Sequence, residues 1–277
     1  MSAPGPLAGK VALVAGASRG IGAATAQAFA RAGASVVLAA RDEAALGEVA
    51  RTITGQGGTA LAVRADVGDA DSMQALVERT LQAFGRLDAA FNNATDGPRP
   101  TPLADIEPED FDRAIRTNVR GTFLGMKYEI QAMLRSGGGA IVNMASTAGV
   151  HGVANLAGYV AGKAAIIALT KVAALDYADR NIRVNVVAPG PILTHHLEAA
   201  GEEAQRRAAL ATPMGRVGRV DEVAAAVVWL CSNEASFVTG TTLPLDGGQL
   251  AGTKPAQMYR PGKPWTAEPG PDTPPRP

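Results

Sequence analysis

A tyrosine stands four residues before a lysine twice in this chain, as "YVAGK" (Tyr159 to Lys163) and as "YRPGK" (Tyr259 to Lys263). A phenol can give a proton to a carbonyl oxygen or take one from an alcohol, and a nearby ammonium can tune that exchange. With 4 tyrosines and 6 lysines in 277 residues, random placement gives roughly 0.1 such pairs, so context must decide between them. "NLAGYVAGKAAIIALTKVAALDYA" (155–178) is rich in alanine, leucine and isoleucine and has no proline. It reads as a long, largely buried helix. Residues i and i+4 share a helix face, so Tyr159 and Lys163 point the same way. Pro261 and Gly262 lie inside the second spacer and break any helix there. The first pair is the one that reads as chemistry.

The elements that position the pair alternate along the chain. Apolar, β-rich runs at 10–16, 34–40, 59–66, 87–94, 139–146, 182–190 and 241–248 predict seven strands. Helical patterns fill the gaps at 21–33, 42–55, 69–84, 108–135, 155–178 and 220–232. Strands and helices in strict alternation mean right-handed βαβ units. They predict one doubly wound, Rossmann-type α/β domain over residues 1–250, with a seven-stranded parallel sheet and helices on both faces. Residues 251–277 hold eight of the 18 prolines, a composition that suits an extended arm. Met258, Tyr259 and Trp265 are its only large apolar groups.

Composition excludes several classes. Basic and acidic residues balance at 26 each and the isoelectric point is near 6.8. The chain thus has no electrostatic footprint for nucleic acid or an anionic membrane. Cys231 is the single cysteine, so no internal disulfide can form, and it reads as a small buried hydrophobe in a reducing compartment. The start "MSAPGPLAGK" has no basic region followed by an apolar core, and no uninterrupted apolar run approaches the roughly 18 residues of a membrane span. The expectation is a cytoplasmic protein.

Between the first strand and first helix lies "VAGASRGIG", with Gly16, Gly20 and Gly22 around Ser18, Arg19 and Ile21. Glycines permit a tight turn and close phosphate approach, and the helix N-terminus favours a pyrophosphate. The end of the second strand sets the cofactor. A carboxylate there would hold a ribose 2′-OH, whereas an arginine accommodates a 2′-phosphate. "VVLAARDE" offers Ala40 and then Arg41, 19 residues after Gly22. With Arg19, this favours NADP(H); Asp42, one position further on, keeps NAD(H) as the alternative.

Over residues 7–250 the chain resembles the short-chain dehydrogenase/reductase family. The resemblance rests on "GASRGIG", "NNA" after the fourth strand, "TNVRGTF", Ser146 ending the fifth strand, "YVAGK", "APGPILT" and "DGG", all in family order. Within the family it is most similar to 3-oxoacyl-carrier-protein and small-ketone reductases. The resemblance implies hydride transfer between the nicotinamide and a ketone or secondary alcohol, with Tyr159 as general acid/base. Ser146 would orient the substrate oxygen, and Asn118 would hold a water relaying protons from Lys163. Lys163⁺ would stabilise the tyrosinate at about 1.4 kcal/mol per unit of depression and hold the nicotinamide ribose. Asp66 and Val67 would meet the adenine, Asn93 would line the groove, and Pro189, Gly190, Ile192 and Thr194 would meet the carboxamide side. Relatives commonly form homotetramers through the helices at 108–135 and 155–178. The rivals are an NAD-dependent alcohol dehydrogenase and a non-catalytic NADP-binding regulator on the same fold.

Two positions depart from the family. Ala15 replaces its threonine before the glycine turn, and Thr95 replaces the glycine of "NNAG". The first removes a hydroxyl that ties two loops together; the second adds bulk, and β-branched residues resist positive φ. On the substrate side, residues 191–213 read as a lid. His195 and His196 lie in it without a further ligand cluster, so no metal is expected. Glu202 and Glu203, four residues before Arg206 and Arg207, read as a solvated helix face. "TAGVHGVANLAG" is small and apolar around His151, which suits a compact or hydrophobic ketone met by Ser146 and Tyr159; His151 reads either as a further substrate contact or as a loop histidine exposed to water.

Overall fold

The computed structural model describes residues 4–97 and 100–252; the expectations for Met258, Tyr259, Lys263 and Trp265 lie outside the described residues. Nine strands and nine α-helices follow one another in these residues. The first half runs β1 (Val11–Ala15), α1 (Gly20–Arg31), β2 (Ser35–Ala40), α2 (Glu43–Gly55), β3 (Thr59–Arg64), α3 (Ala70–Phe84) and β4 (Ala89–Asn92). Then come α4 (Pro108–Ile115), α5 (Gly121–Ser136), β5 (Gly139–Met144), α6 (Ala157–Tyr177) and β6 (Ile182–Pro189). The chain continues through β7 (Ile192–Leu193), α7 (His195–Ala199), α8 (Gly201–Leu210), β8 (Gly218–Arg219), α9 (Val220–Cys231) and β9 (Thr242–Leu245).

Seven strands form one parallel sheet in the order β3-β2-β1-β4-β5-β6-β9, and β7 pairs with β8 in a separate two-stranded ribbon. The order reverses direction between β1 and β4, where a doubly wound sheet opens a crevice beyond its strand ends. Alternate residues of each strand serve opposite faces. Ala12, Val14, Val36, Leu38 and Phe91 pack with Phe29, Leu46, Val223 and Leu230. Leu13, Val37 and Ala90 pack with Met73, Leu76, Leu124 and Met133 on the other side. Both faces are thus covered, and each fully buried large side chain contributes roughly 1.5–3 kcal/mol.

Local chemistry sets the boundaries. Asp42 and Asp69 cap α2 and α3 by accepting from Ala45 N–H and Ser72 N–H. Gly33, at φ +96°, ends the first helical segment as the sequence predicts. Two expectations change. The helix expected at 155–178 begins at Ala157, because Asn155 takes a left-handed φ of 65°. The single helix expected over 108–135 is interrupted by a π-helical turn at Arg116–Arg120. An extra residue squeezed into a helical turn bulges the backbone, and Asn118 sits on that bulge.

Helix α6 and the turn after it (Ala157–Arg180) are long and apolar enough to cross a membrane by length and composition. In the fold one face of it packs into the core, with Gly162, Lys163, Ile166, Thr170 and Ala174 buried, while Val172 and Leu175 on it are exposed.

Candidate active site

Strand ends bring the expected residues together. Ser146 follows β5, while Tyr159 and Lys163 project from the first turns of α6, and the π-turn delivers Asn118 against the same helix. A Cβ added to Gly162 would stand 3.0 Å from Asn118 Cβ, so glycine lets the two segments approach without Asn118 having to shift. Gly149 serves similarly, because a Cβ there would meet the Lys163 backbone at 2.7 Å. Ser146 and Tyr159 share a hydrogen bond. The Ser146 hydroxyl also accepts from Ala148 N–H at 3.2 Å, so it caps a 3₁₀ turn as well as facing the phenol. Lys163 is fully buried, its Nζ donates to the Met144 carbonyl at 2.9 Å, and it lies 5.5 Å from the Tyr159 ring centroid.

The electrostatics differ from the expectation of a depressed phenol. Burial raises the Tyr159 pKa above its usual value, opposed by the Ser146 hydrogen bond. Burial also pulls the Lys163 ammonium down to about 7. Desolvation penalises both charged forms, so neither tyrosinate nor ammonium is favoured. The site instead holds a protonated phenol beside an amine that exchanges its proton near neutrality.

Asn118 is fully buried, and its carboxamide oxygen accepts from the Thr95 hydroxyl at 2.8 Å. Its Nδ2 is buried with no partner. Thr95 avoids the strain expected of it: among the described residues, only Asn155 and Asn181 carry a positive φ without being glycine. The loop after β4 is tied to the glycine turn by Asn93, whose Nδ2 donates to the Gly16 carbonyl at 2.8 Å.

The crevice beyond β1 and β4 fits a dinucleotide. A Cβ on Gly16, at φ +86°, would meet Ala94 N at 2.7 Å, and one on Gly22 would meet the Gly16 carbonyl oxygen at 1.9 Å. Helix α1 has no side-chain cap and no acid in its first turn, which leaves its N–H groups open to an anion. Ile21 is partly buried against the core. Gly190 lies against the Asp246 backbone, 3.0 Å from where its Cβ would stand.

At the adenosine end, Arg41 is exposed and Asp42 is half exposed, using Oδ1 to cap α2 and placing Oδ2 3.5 Å from Arg19. Burial alone would raise the Asp66 carboxyl, but the Gly68 N–H, Arg116 and Arg41 outweigh it and hold the group below its usual value. Val67 is buried beside Gly121.

The expected lid forms α7 and α8. Glu203 pairs with Arg206 and Arg207 on its exposed face. His151 lies in the loop before α6 with Nδ1 3.1 Å from the Gly152 carbonyl, so its contact with the other site residues stays an expectation. Cys231 is buried and its thiol is pushed up to about 12 by burial, which makes it packing rather than nucleophile. Sequence reasoning missed two partners. The Lys163 acceptor is a backbone carbonyl, and the Thr95–Asn118 bond spans 23 residues that carry no local pattern.

A family model described as enoyl-(acyl carrier protein) reductase matches residues 16–249. The chain is 44% identical over 248 residues to an A-factor type gamma-butyrolactone 1′-reductase (1S-forming) of Streptomyces virginiae, covering 88% of this chain and 96% of that protein. It is 44% identical over 238 residues to a cyclohexanol dehydrogenase of Acinetobacter sp. (strain SE19), covering 86% and 94%. The crystal structure of levodione reductase superposes with a TM-score of 0.86 at 33% identity, covering 89% of this chain and all of that one.

Proposed function

The chain belongs to the short-chain dehydrogenase/reductase family, acting on alcohols and ketones with NAD(P)(H), and from that premise we propose an NADP(H)-dependent ketone reductase with Tyr159 as general acid. The observation that carries the reading is the shared site of Ser146, Tyr159, buried Lys163 and buried Asn118. The bound nicotinamide supplies or takes the hydride; the protein's own groups manage the proton.

In reduction, the Ser146 hydroxyl orients the substrate oxygen and Tyr159 donates its proton to it. A phenol kept protonated by burial is ready for that direction. Reprotonation draws on Lys163, whose desolvated amine exchanges protons near pH 7. Asn118, held by Thr95, keeps an unpaired donor against α6 where a relaying water would bind. Oxidation of the alcohol runs the same transfers in reverse.

NADP(H) is favoured because Ala40 ends β2 without a carboxylate, while Arg41 is exposed beside Asp66. Asp42, the group that would favour NAD, is engaged as a helix cap and lies near Arg19. For substrate, the small residues around His151 and the cyclohexanol named for one relative point to a compact alicyclic ketone. Exposed Phe123 and Leu134 on α5, with Val172 and Leu175 on α6, support assembly into a homotetramer. The test is binding of NADPH against NADH, followed by turnover on a panel of cyclic and linear ketones. Tight NADPH binding with turnover of a cyclic ketone is expected; binding without any turnover would favour the non-catalytic regulator.

A further inference from the structure

A run of polar side chains crosses the core beneath the catalytic groups. Glu129 on α5, Asn92 at the end of β4, Asn143 on β5 and Thr170 on α6 are all buried. Asn92 Nδ2 donates to Glu129 Oε2 at 2.9 Å and to Asn143 Oδ1 at 3.0 Å. Asn143 Nδ2 donates in turn to Thr170 Oγ1 at 2.9 Å and to Met126 Sδ at 3.1 Å. The Thr170 hydroxyl passes its own proton to the Ile166 carbonyl at 2.8 Å. Such a run adds direction that apolar packing lacks, because each amide satisfies its neighbours in one orientation only.

The direction is set at Glu129. Its Oε2 is an acceptor, so it takes the Asn92 amide nitrogen, and its buried Oε1 has no partner. The same nitrogen meets Asn143 Oδ1, which turns the Asn143 amide nitrogen towards α6. The Asn92 oxygen is left against Gly125, where a Cβ would stand only 2.4 Å from it. Two bonds then join β5 to α6. Asn143 holds Thr170, and the next residue, Met144, accepts from Lys163 Nζ at 2.9 Å. Lys163, Ile166 and Thr170 are buried at helical spacing along one face of α6. Burial alone lowers the Lys163 pKa, so the link from Glu129 is one of geometry rather than charge.

We infer that Glu129 is a positioning residue for the reaction, acting through Asn92, Asn143 and Thr170 on the seat of Lys163 beside Tyr159. This rests on the proposed roles of Tyr159 and Lys163 in proton transfer. The acceptor on α5 decides which way two buried amides point, and so how the helix face carrying Lys163 sits on β5.

The test measures kcat and KM for a cyclic ketone, with NADPH affinity, in wild type, Glu129→Leu, Glu129→Gln, Thr170→Val and the Glu129→Leu, Thr170→Val double variant. Each protein is assayed well below its melting temperature. Glu129→Leu removes the acceptor and should lower kcat about tenfold, with KM and NADPH affinity within about twofold of wild type. Glu129→Gln keeps an acceptor for Asn92 and should restore kcat to within about twofold. Thr170→Val cuts the far end and should lower kcat as much. The double variant should be no slower than either single one, because both cut the same chain. Wild-type kcat in Glu129→Leu, with only its melting temperature lowered, overturns the inference, as do losses that multiply in the double variant. Wild-type protein that turns over no ketone overturns the proposed function, and the role of Glu129 with it. If Glu129→Leu does not fold, Thr170→Val is compared with Thr170→Ser, which keeps the hydroxyl, by the same criteria.

Discussion

The Thr95 hydroxyl donates to the Asn118 carboxamide oxygen at 2.8 Å, and so fixes which way a fully buried side chain points. Without that bond Asn118 would hold both polar ends unpaired in the core. Thr95→Val keeps the shape and removes the donor, and should cost about 1–3 kcal/mol of stability. If Asn118 organises proton relay, kcat should also fall about tenfold with KM little changed, and Thr95→Ser should restore it. Equal kcat for the valine and serine variants would confine Thr95 to a structural role.

Cofactor choice turns on Arg41, exposed at the end of β2. A charge-assisted hydrogen bond to a 2′-phosphate contributes about 1.5–3 kcal/mol. Arg41→Asp should therefore shift the ratio of kcat/KM for NADPH over NADH by at least about tenfold towards NADH. An unchanged ratio would remove Arg41 from the determinants.

Glu129 gives the fold a pH dependence. It is fully buried on α5, bonded by Asn92 Nδ2 at 2.9 Å, with its other oxygen unpaired. Burial raises its pKa from 4.5 to about 7. Between those values the folded protein keeps a proton that the unfolded chain has lost, so stability falls as pH rises through that window. The loss is at most about 3 kcal/mol. Glu129→Gln should melt above wild type at pH 8 and close to it at pH 4.5. Lys163 acts in the opposite sense between about 7 and 10.5, equally in both proteins, and cancels from the comparison. A melting difference that does not change with pH would contradict this assignment.

The sheet was legible because every strand is a short apolar run and every turn carries its own punctuation, as at Gly16 and Gly33. Tyr159 and Lys163 were legible because helix spacing alone puts them on one face. The rest depends on contacts between distant segments. No local pattern announces the π-turn at Asn118, the reach of Thr95 across 23 residues, or the buried run from Glu129 to Thr170. The upward shift of Tyr159 escaped for a related reason: desolvation is set by what packs around the phenol, and spacing reports only its nearest charge.

The most direct measurement compares wild type with Tyr159→Phe, following NADPH oxidation with a cyclic ketone and NADPH affinity in the same samples. The phenylalanine keeps the ring and removes the proton. General acid catalysis contributes on the order of 10²–10⁴-fold, so turnover should fall by at least about a hundredfold while NADPH affinity stays within about twofold. Turnover within a few-fold of wild type would contradict Tyr159 as the proton donor.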